Sequence, residues 1–248
     1  MIKIKSAQEI SKMRSAGRIT AETFEVLKEH IKPGISTIEL DRIAAAYIKK
    51  CGGGCAFYNY NGYPGHICIS VNNEVVHGIP GSRIIKDGDI VSIDLGATYD
   101  GYYGDAARTY AVGTITPEAQ RLISVTEQSF FEGLKMAAAG NRVFDISANI
   151  QNFVEQNGYS VVRALVGHGV GSNLHEDPEV PNFGTAGRGP RLVSGMTIAV
   201  EPMVNMGTHK VLTLPDDWTV VTADGELSAH YENTILITDK GAEILTKC

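Results

Sequence analysis

Four carboxylates stand where the chain should be apolar. Asp94 closes the run Ile90-Val91-Ser92-Ile93, Glu201 closes Thr197-Ile198-Ala199-Val200, and Glu232 opens onto Asn233-Thr234-Ile235-Leu236-Ile237. Asp105 sits in the β-like stretch Tyr102–Val112. Short apolar runs of this kind read as buried strands. An unpaired charge on a buried strand is costly, so each acid needs a partner. The fold must therefore bring these strands together around something positive.

The first pair can be placed by counting. Asp100-Gly101 is a hairpin turn signal between two β-like runs. With those two residues as the loop, Tyr99 faces Tyr102 and Gly96 faces Asp105. Asp94 lies two residues from Gly96, and side chains alternate along a strand. Asp94 and Asp105 thus become diagonal neighbours on one face, roughly 7 Å apart at Cβ. Two carboxylates there repel unless a divalent cation lies between them, and Gly96 is expected to leave that space open. The alternative is ordinary ion pairing of Asp94 and Asp105 with Arg108 or Lys86.

A histidine completes the set. His168 is framed in Gly167-His168-Gly169-Val170-Gly171, where glycines would let the backbone approach a ligand. A lone histidine is more often a core residue bonded to a carbonyl; the four acids shift that balance. Four carboxylates and one imidazole suit hard or borderline divalent ions such as Mn, Fe(II), Co or Zn. Five protein ligands exceed what one catalytic ion takes while keeping an open position. Two ions about 3.5–4 Å apart fit better.

Around these residues the sequence predicts an α+β chain. Helices are expected over 6–31, opened by the capping box Ser6-Ala7-Gln8-Glu9, and from Ser36 to about Cys51. Two more are expected from Thr116-Pro117 to Gly140 and from Phe144 to Asn157. Further strands are expected at 67–71, 160–166 and 218–223. An offset that lays Gly34 on Gly140 also lays Gly52 on Gly158. A nearly equal one lays Gly88-Asp89-Ile90-Val91-Ser92-Ile93-Asp94 on Gly195-Met196-Thr197-Ile198-Ala199-Val200-Glu201. One domain over 1–248, made of two pseudo-related halves of about 1–113 and 114–248, accounts for this, with a site expected at their junction.

Composition narrows the class. A net charge of −6 with no Lys/Arg block gives no footprint for nucleic acid or an anionic membrane. No stretch approaches the ~18 apolar residues of a membrane span, and the first residues lack an export signal's apolar core. Cys51, Cys55, Cys68 and Cys248 are too few and too unevenly spaced for a disulfide framework. They read as free thiols in a reducing cytoplasm.

Several stretches together resemble the type I methionine aminopeptidases of the pita-bread fold. They are Val76-His77-Gly78-Ile79-Pro80, Ile93-Asp94-Leu95-Gly96, Gly104-Asp105-Ala106-Ala107-Arg108-Thr109 and Gly167-His168-Gly169-Val170-Gly171. His175-Glu176-Asp177-Pro178, Glu201-Pro202 and Tyr231-Glu232-Asn233-Thr234 complete the set, in the family's order across almost the whole chain. The resemblance implies a pseudo-twofold antiparallel sheet with helices on its outer face. It implies hydrolytic, metal-dependent removal of the initiator methionine from nascent chains and peptides with a small second residue. Asp94 would chelate one ion, Asp105 and Glu232 would bridge both, and His168 and Glu201 would complete the other shell. His77 and His175 would contact the substrate amide and stabilise the tetrahedral intermediate, and Glu201 is the candidate proton acceptor. Tyr58 or Tyr60, Cys68, His77, Leu174 and Trp218 are candidates for the methionine pocket. The family often places an aromatic residue where Leu174 stands. A monomer is expected, and a nascent-chain substrate leaves room for transient ribosome contact.

Two other functions remain in view. Proline-directed aminopeptidases share the fold but usually carry a large N-terminal domain, for which helix one, starting near residue six, leaves no room. Type II methionine aminopeptidases insert a helical segment between the last two acids, and Glu201 and Glu232 stand too close for it. A non-catalytic binding protein on the same fold would be expected to have lost ligands, and all five are present.

Overall fold

The computed structural model describes residues 1–247; Cys248 lies outside them. The described residues form four α-helices: α1 (Ala7–Lys28), α2 (Thr37–Lys50), α3 (Pro117–Leu134) and α4 (Val143–Gln156). The Ser6/Glu9 capping box forms at the start of α1, and Thr116 caps α3 with Pro117 in its first turn. Ser36 occupies the cap position of α2, but its side chain makes no capping bond. Helix α3 stops well short of Gly140. Beyond it, Ala139 donates to the carbonyl of Thr238 and Gly140 to that of Leu192, so this backbone is spent on neighbours.

A nine-stranded antiparallel sheet organises the molecule. Its order is Gly54–Cys55, Ile90–Tyr99, Tyr102–Ala111, Glu232–Thr238, Thr197–Val200, Gly167–Gly169 and Glu176–Val180. Cys68–Val71 also pairs with Ile90–Tyr99, and Gly241–Ile244 with Glu232–Thr238. The hairpin register is the one counted from sequence: Tyr99 opposes Tyr102, and Gly96 opposes Asp105. This is the α+β arrangement expected of a pita-bread fold.

Two apolar clusters hold the helices to the sheet. Helices α1 and α2 bury Phe24, Leu27, Leu40 and Ala44 with Ile69, Val91, Ile93 and Leu95. Helices α3 and α4 bury Leu122, Phe130, Ile146 and Ile150 with Ile198, Val200, Ile235 and Ile237. Each fully buried Leu, Ile or Phe contributes roughly 1.5–3 kcal/mol. The sheet is thereby rigid where its acids emerge.

Several strand expectations change. The run expected over 197–203 is broken into Thr197–Val200 and Met203–Asn205, and short strands such as Glu74–Val76, Val211–Thr213, Ser228–His230 and Gly241–Ile244 lie outside the expected runs. Only Ser160–Val161 of the expected 160–166 segment joins a ladder, and Glu176–Val180 forms a strand that the sequence pattern did not indicate. The latter carries charge outward at Asp177 and Glu179 and buries Pro178 and Val180. It is an edge strand, where proline loses no ladder bond.

Candidate active site

Register builds the site. Asp94 pairs with Ala107, and Ala107 pairs with Glu232, so the three share one rung. Paired side chains of antiparallel strands lie on the same face, and the small Ala107 keeps the middle of the rung open. Asn233 pairs with Val200, which brings Glu201 beside Glu232 where the Thr197–Val200 strand ends. Asp105 stands two residues from Ala107, on the same face. His168 closes the group: its Nε2 lies 3.6 Å from Glu201 Oε1 and 3.8 Å from Asp105 Oδ2. One ligand atom each from Asp105, His168 and Glu232 falls within 4.8 Å of the others.

Backbone clamps fix these side chains. The main-chain N–H of Asp105 donates to Thr234 Oγ1 at 3.0 Å, and the same hydroxyl donates to the Asp105 carbonyl at 2.9 Å. Asn182 Nδ2 donates to the carbonyl of Glu201. Arg108 makes no ion pair with the acids, and its charge only partly offsets the upward shift of Glu232. From the opposite face of its strand it donates to the carbonyls of Ala107 and Glu232 and, at 2.7 Å, to Asn233 Oδ1. Its guanidinium lies 4.3 Å from the Tyr231 ring centroid. Among the described residues no lysine or arginine pairs with Asp94 or Asp105, which removes the ordinary ion-pair reading.

The acids are left short of partners. Asp94 Oδ1, Asp105 Oδ1 and Glu232 Oε1 are buried with no hydrogen bond. Burial holds all four carboxyls above their ordinary range, Asp105 at about 7. Mutual repulsion adds to this at Asp94, Glu201 and Glu232. Burial, then His175, pushes His168 down to about 3, so its imidazole is neutral. Its Nδ1 meets the Gly169 carbonyl at 2.9 Å, which leaves the Nε2 lone pair toward the acids. Orphaned carboxylate oxygens with one neutral imidazole nitrogen fit a divalent cation.

Above this floor opens a cavity of about 280 Å³. All five of these residues line it, as do His77, His175, Cys68, Leu174 and Trp218. Tyr58 does not; it is exposed and stacks on His66 with ring centroids 4.6 Å apart. Tyr60 takes the inward position, and its hydroxyl meets His175 Nδ1 at 2.8 Å. Asn59 and Asn61 on either side adopt positive φ values of 60° and 50°. They turn the loop so that Tyr60 and not Tyr58 faces in. His77, held by burial and then by His175 at about 4, also has φ 60°. A non-glycine residue in this conformation persists only where surrounding structure imposes it.

Two glycine readings are corrected. Space over Gly96 is not open: a Cβ there would meet Ala56 at 2.8 Å and Phe57 at 3.3 Å. The glycine lets Phe57 close against the sheet as a cavity wall. Gly167 and Gly169 serve strand packing, since a Cβ would reach the Ala199 carbonyl at 2.4 Å or the Asp177 carbonyl at 2.2 Å. Val76, from the His77 motif, lines the cavity too, as do Phe57, Tyr63 and Met203, which no sequence motif singles out. Nor does one single out His230, 1% exposed, with Nε2 4.0 Å from a carboxylate oxygen of both Glu201 and Glu232. Its place two residues before Glu232 was the available signal.

This fold and acid-lined cavity define a metallopeptidase. Residues 11–239 match the model of metallopeptidase family M24, and the chain belongs to that family. It is 58% identical to a methionine aminopeptidase of Clostridium perfringens over 246 residues, 99% of each chain. It is 56% identical to methionine aminopeptidase 1 of Bacillus subtilis, covering 100% of both. The crystal structure of methionine aminopeptidase from Thermotoga maritima superposes with a TM-score of 0.99 at 47% identity, with full coverage of both chains. X-Pro aminopeptidase from the same organism shares the fold, with a TM-score of 0.80 at 23% identity; the match spans 99% of this chain but 62% of that one.

Proposed function

We propose that this chain hydrolyses the bond after an N-terminal methionine, in nascent proteins and in peptides whose second residue is small. The observation that carries this reading is an apolar-walled cavity standing directly on a floor of under-partnered acids. An apolar side chain can enter the walls while the amine and the scissile carbonyl remain over the floor. That arrangement suits an exopeptidase.

Asp94, Asp105, His168, Glu201 and Glu232 would hold two divalent ions of the Co, Mn, Fe(II) or Zn kind. Such ions, when bound, acidify water and polarise a carbonyl. The chain's own groups do the rest. Glu201 accepts the proton of the attacking water. His175 donates from Nε2 to the developing oxyanion. With the Tyr60 hydroxyl donating to Nδ1 across their 2.8 Å contact, Nε2 is the protonated nitrogen. His77 faces the substrate amide from the Trp218 side, its ring 6.5 Å from the indole. Cys68, Leu174, Tyr60 and Trp218 enclose the methionine side chain.

The same reading has the chain in the cytoplasm as a monomer with, at most, transient ribosome contact; no described helix is long and apolar enough to cross a membrane. Two pseudo-related halves are supported by matched turns. Gly34 and Gly140 have φ 98° and 100°, Gly52 and Gly158 77° and 83°, and Gly88 and Gly195 both 90°.

Metal-stripped and reloaded protein should release methionine from Met-Gly-Met-Met and leave a peptide with leucine in second place intact. Equal cleavage of both, or activity untouched by chelation, would defeat the reading.

A further inference from the structure

Behind the carboxylates lies a polar group that the proposed reaction does not use. His230 ends the Ser228–His230 strand, opposite Met203. That rung adjoins the level where Glu201 and Glu232 emerge, and the Tyr231 N–H donates to the Pro202 carbonyl between them. Thr109 pins the His230 backbone on both sides: it accepts from the N–H and donates to the carbonyl, each at 2.9 Å. Ser92 braces the Thr109 hydroxyl at 2.8 Å. The ring is therefore held in place by its own main chain.

Yet neither ring nitrogen has a partner among the described residues. A neutral imidazole carries one donor and one acceptor. Leaving a buried polar group unpaired costs about 1–3 kcal/mol. A leucine would fill the same space without that cost. The ring faces Glu201 Oε2 and Glu232 Oε2, each 4.0 Å from Nε2. That gap is about 1 Å beyond a hydrogen bond, within reach of a small carboxylate rotation. His230 is absent from the cavity lining. It approaches the acids from the side away from substrate.

We propose that His230 is a positioning residue of the metal site: its Nε2–H holds the rear oxygens of Glu201 and Glu232, so that their other oxygens face the cation. It touches no substrate and acts only through those two acids. Groups that orient the ligands of a metal in this way change its affinity by roughly 10–100-fold when removed. The inference rests on the metal reading of the site.

The test is calorimetric titration of metal-stripped protein with Mn(II), beside thermal melts of the stripped protein. His230→Leu should weaken binding by roughly 10–100-fold while the stripped protein melts no lower than the parent. His230→Gln carries an N–H where Nε2 stands and should recover most of the affinity; His230→Asn, which is shorter, should not. Equal affinity in parent and His230→Leu would overturn the proposal. So would a loss of affinity that Gln fails to restore, or one that tracks a lower melting temperature of the stripped chain. If the parent itself bound no Mn(II), the metal reading would fail, and this proposal with it.

Discussion

The two faces of the Tyr102–Ala111 strand carry charge of opposite kinds, buried on one and half-buried on the other. On one face Asp105 emerges among three other acids, with an oxygen lacking any partner. On the other, Arg108 reaches the carbonyls of Ala107 and Glu232 and the Asn233 side chain, and packs against Tyr231 and Phe24. The three-residue spacing that separates them is all it takes to change face. Arg108 is a finished structure, complete without anything from outside. The acid face is unfinished, and folding alone does not complete it. A buried charge whose partners are all protein marks architecture; one whose partners are missing marks a place for something that binds.

That contrast is breakable by mutation. Glu232→Ala removes a ligand and an unsatisfied charge together. Activity should fall by on the order of 10³-fold, while the stripped protein remains folded by circular dichroism and melts at least as high as the parent. Unfolding would move Glu232 to the architectural side. Arg108→Met should do the reverse. It strands the Glu232 carbonyl and removes one of the two donors to Asn233 Oδ1, and a denaturant titration should show a loss of about 1–2 kcal/mol. Metal affinity should change far less than in Glu232→Ala.

An effect of similar size concerns pH in the metal-free chain. Burial holds Asp105 at about 7 in the folded state, whereas an unfolded aspartate ionises near 4. Between those values the folded chain binds the additional proton, so stability falls as pH rises. From about pH 5 to about pH 7 the Asp105 carboxyl should take on the order of 2 kcal/mol from the stripped protein, read as the difference in slope between the parent and Asp105→Asn, because His77 and His168, neutral in the fold, contribute with the opposite sign. Saturating metal should abolish that difference. Equal slopes in the parent and Asp105→Asn would show Asp105 to be paired after all.

How much of this was legible in the sequence varied with range. The hairpin register followed from Asp100-Gly101 and strand alternation, and those two local rules were enough to put Asp94 and Asp105 on one face. Glu201 and Glu232 were legible as acids at the ends of apolar runs. What failed was governed by packing from distant segments. The choice of Tyr60 over Tyr58 depends on left-handed Asn59 and Asn61, which spacing does not specify. Gly96 looked like room for an ion and is instead room for Phe57. His230 offers in sequence only its place two residues before Glu232; its interest comes from unpartnered nitrogens, which only tertiary structure can display.

The most direct measurement is the metal stoichiometry of the stripped chain, titrated with Mn(II) or Co(II) and compared with Glu232→Ala. Two equivalents bound by the parent, with the second lost or both weakened in the variant, is the expected result. Parent protein that binds none, or a variant that binds as the parent does, would contradict a metal centre built on these five residues.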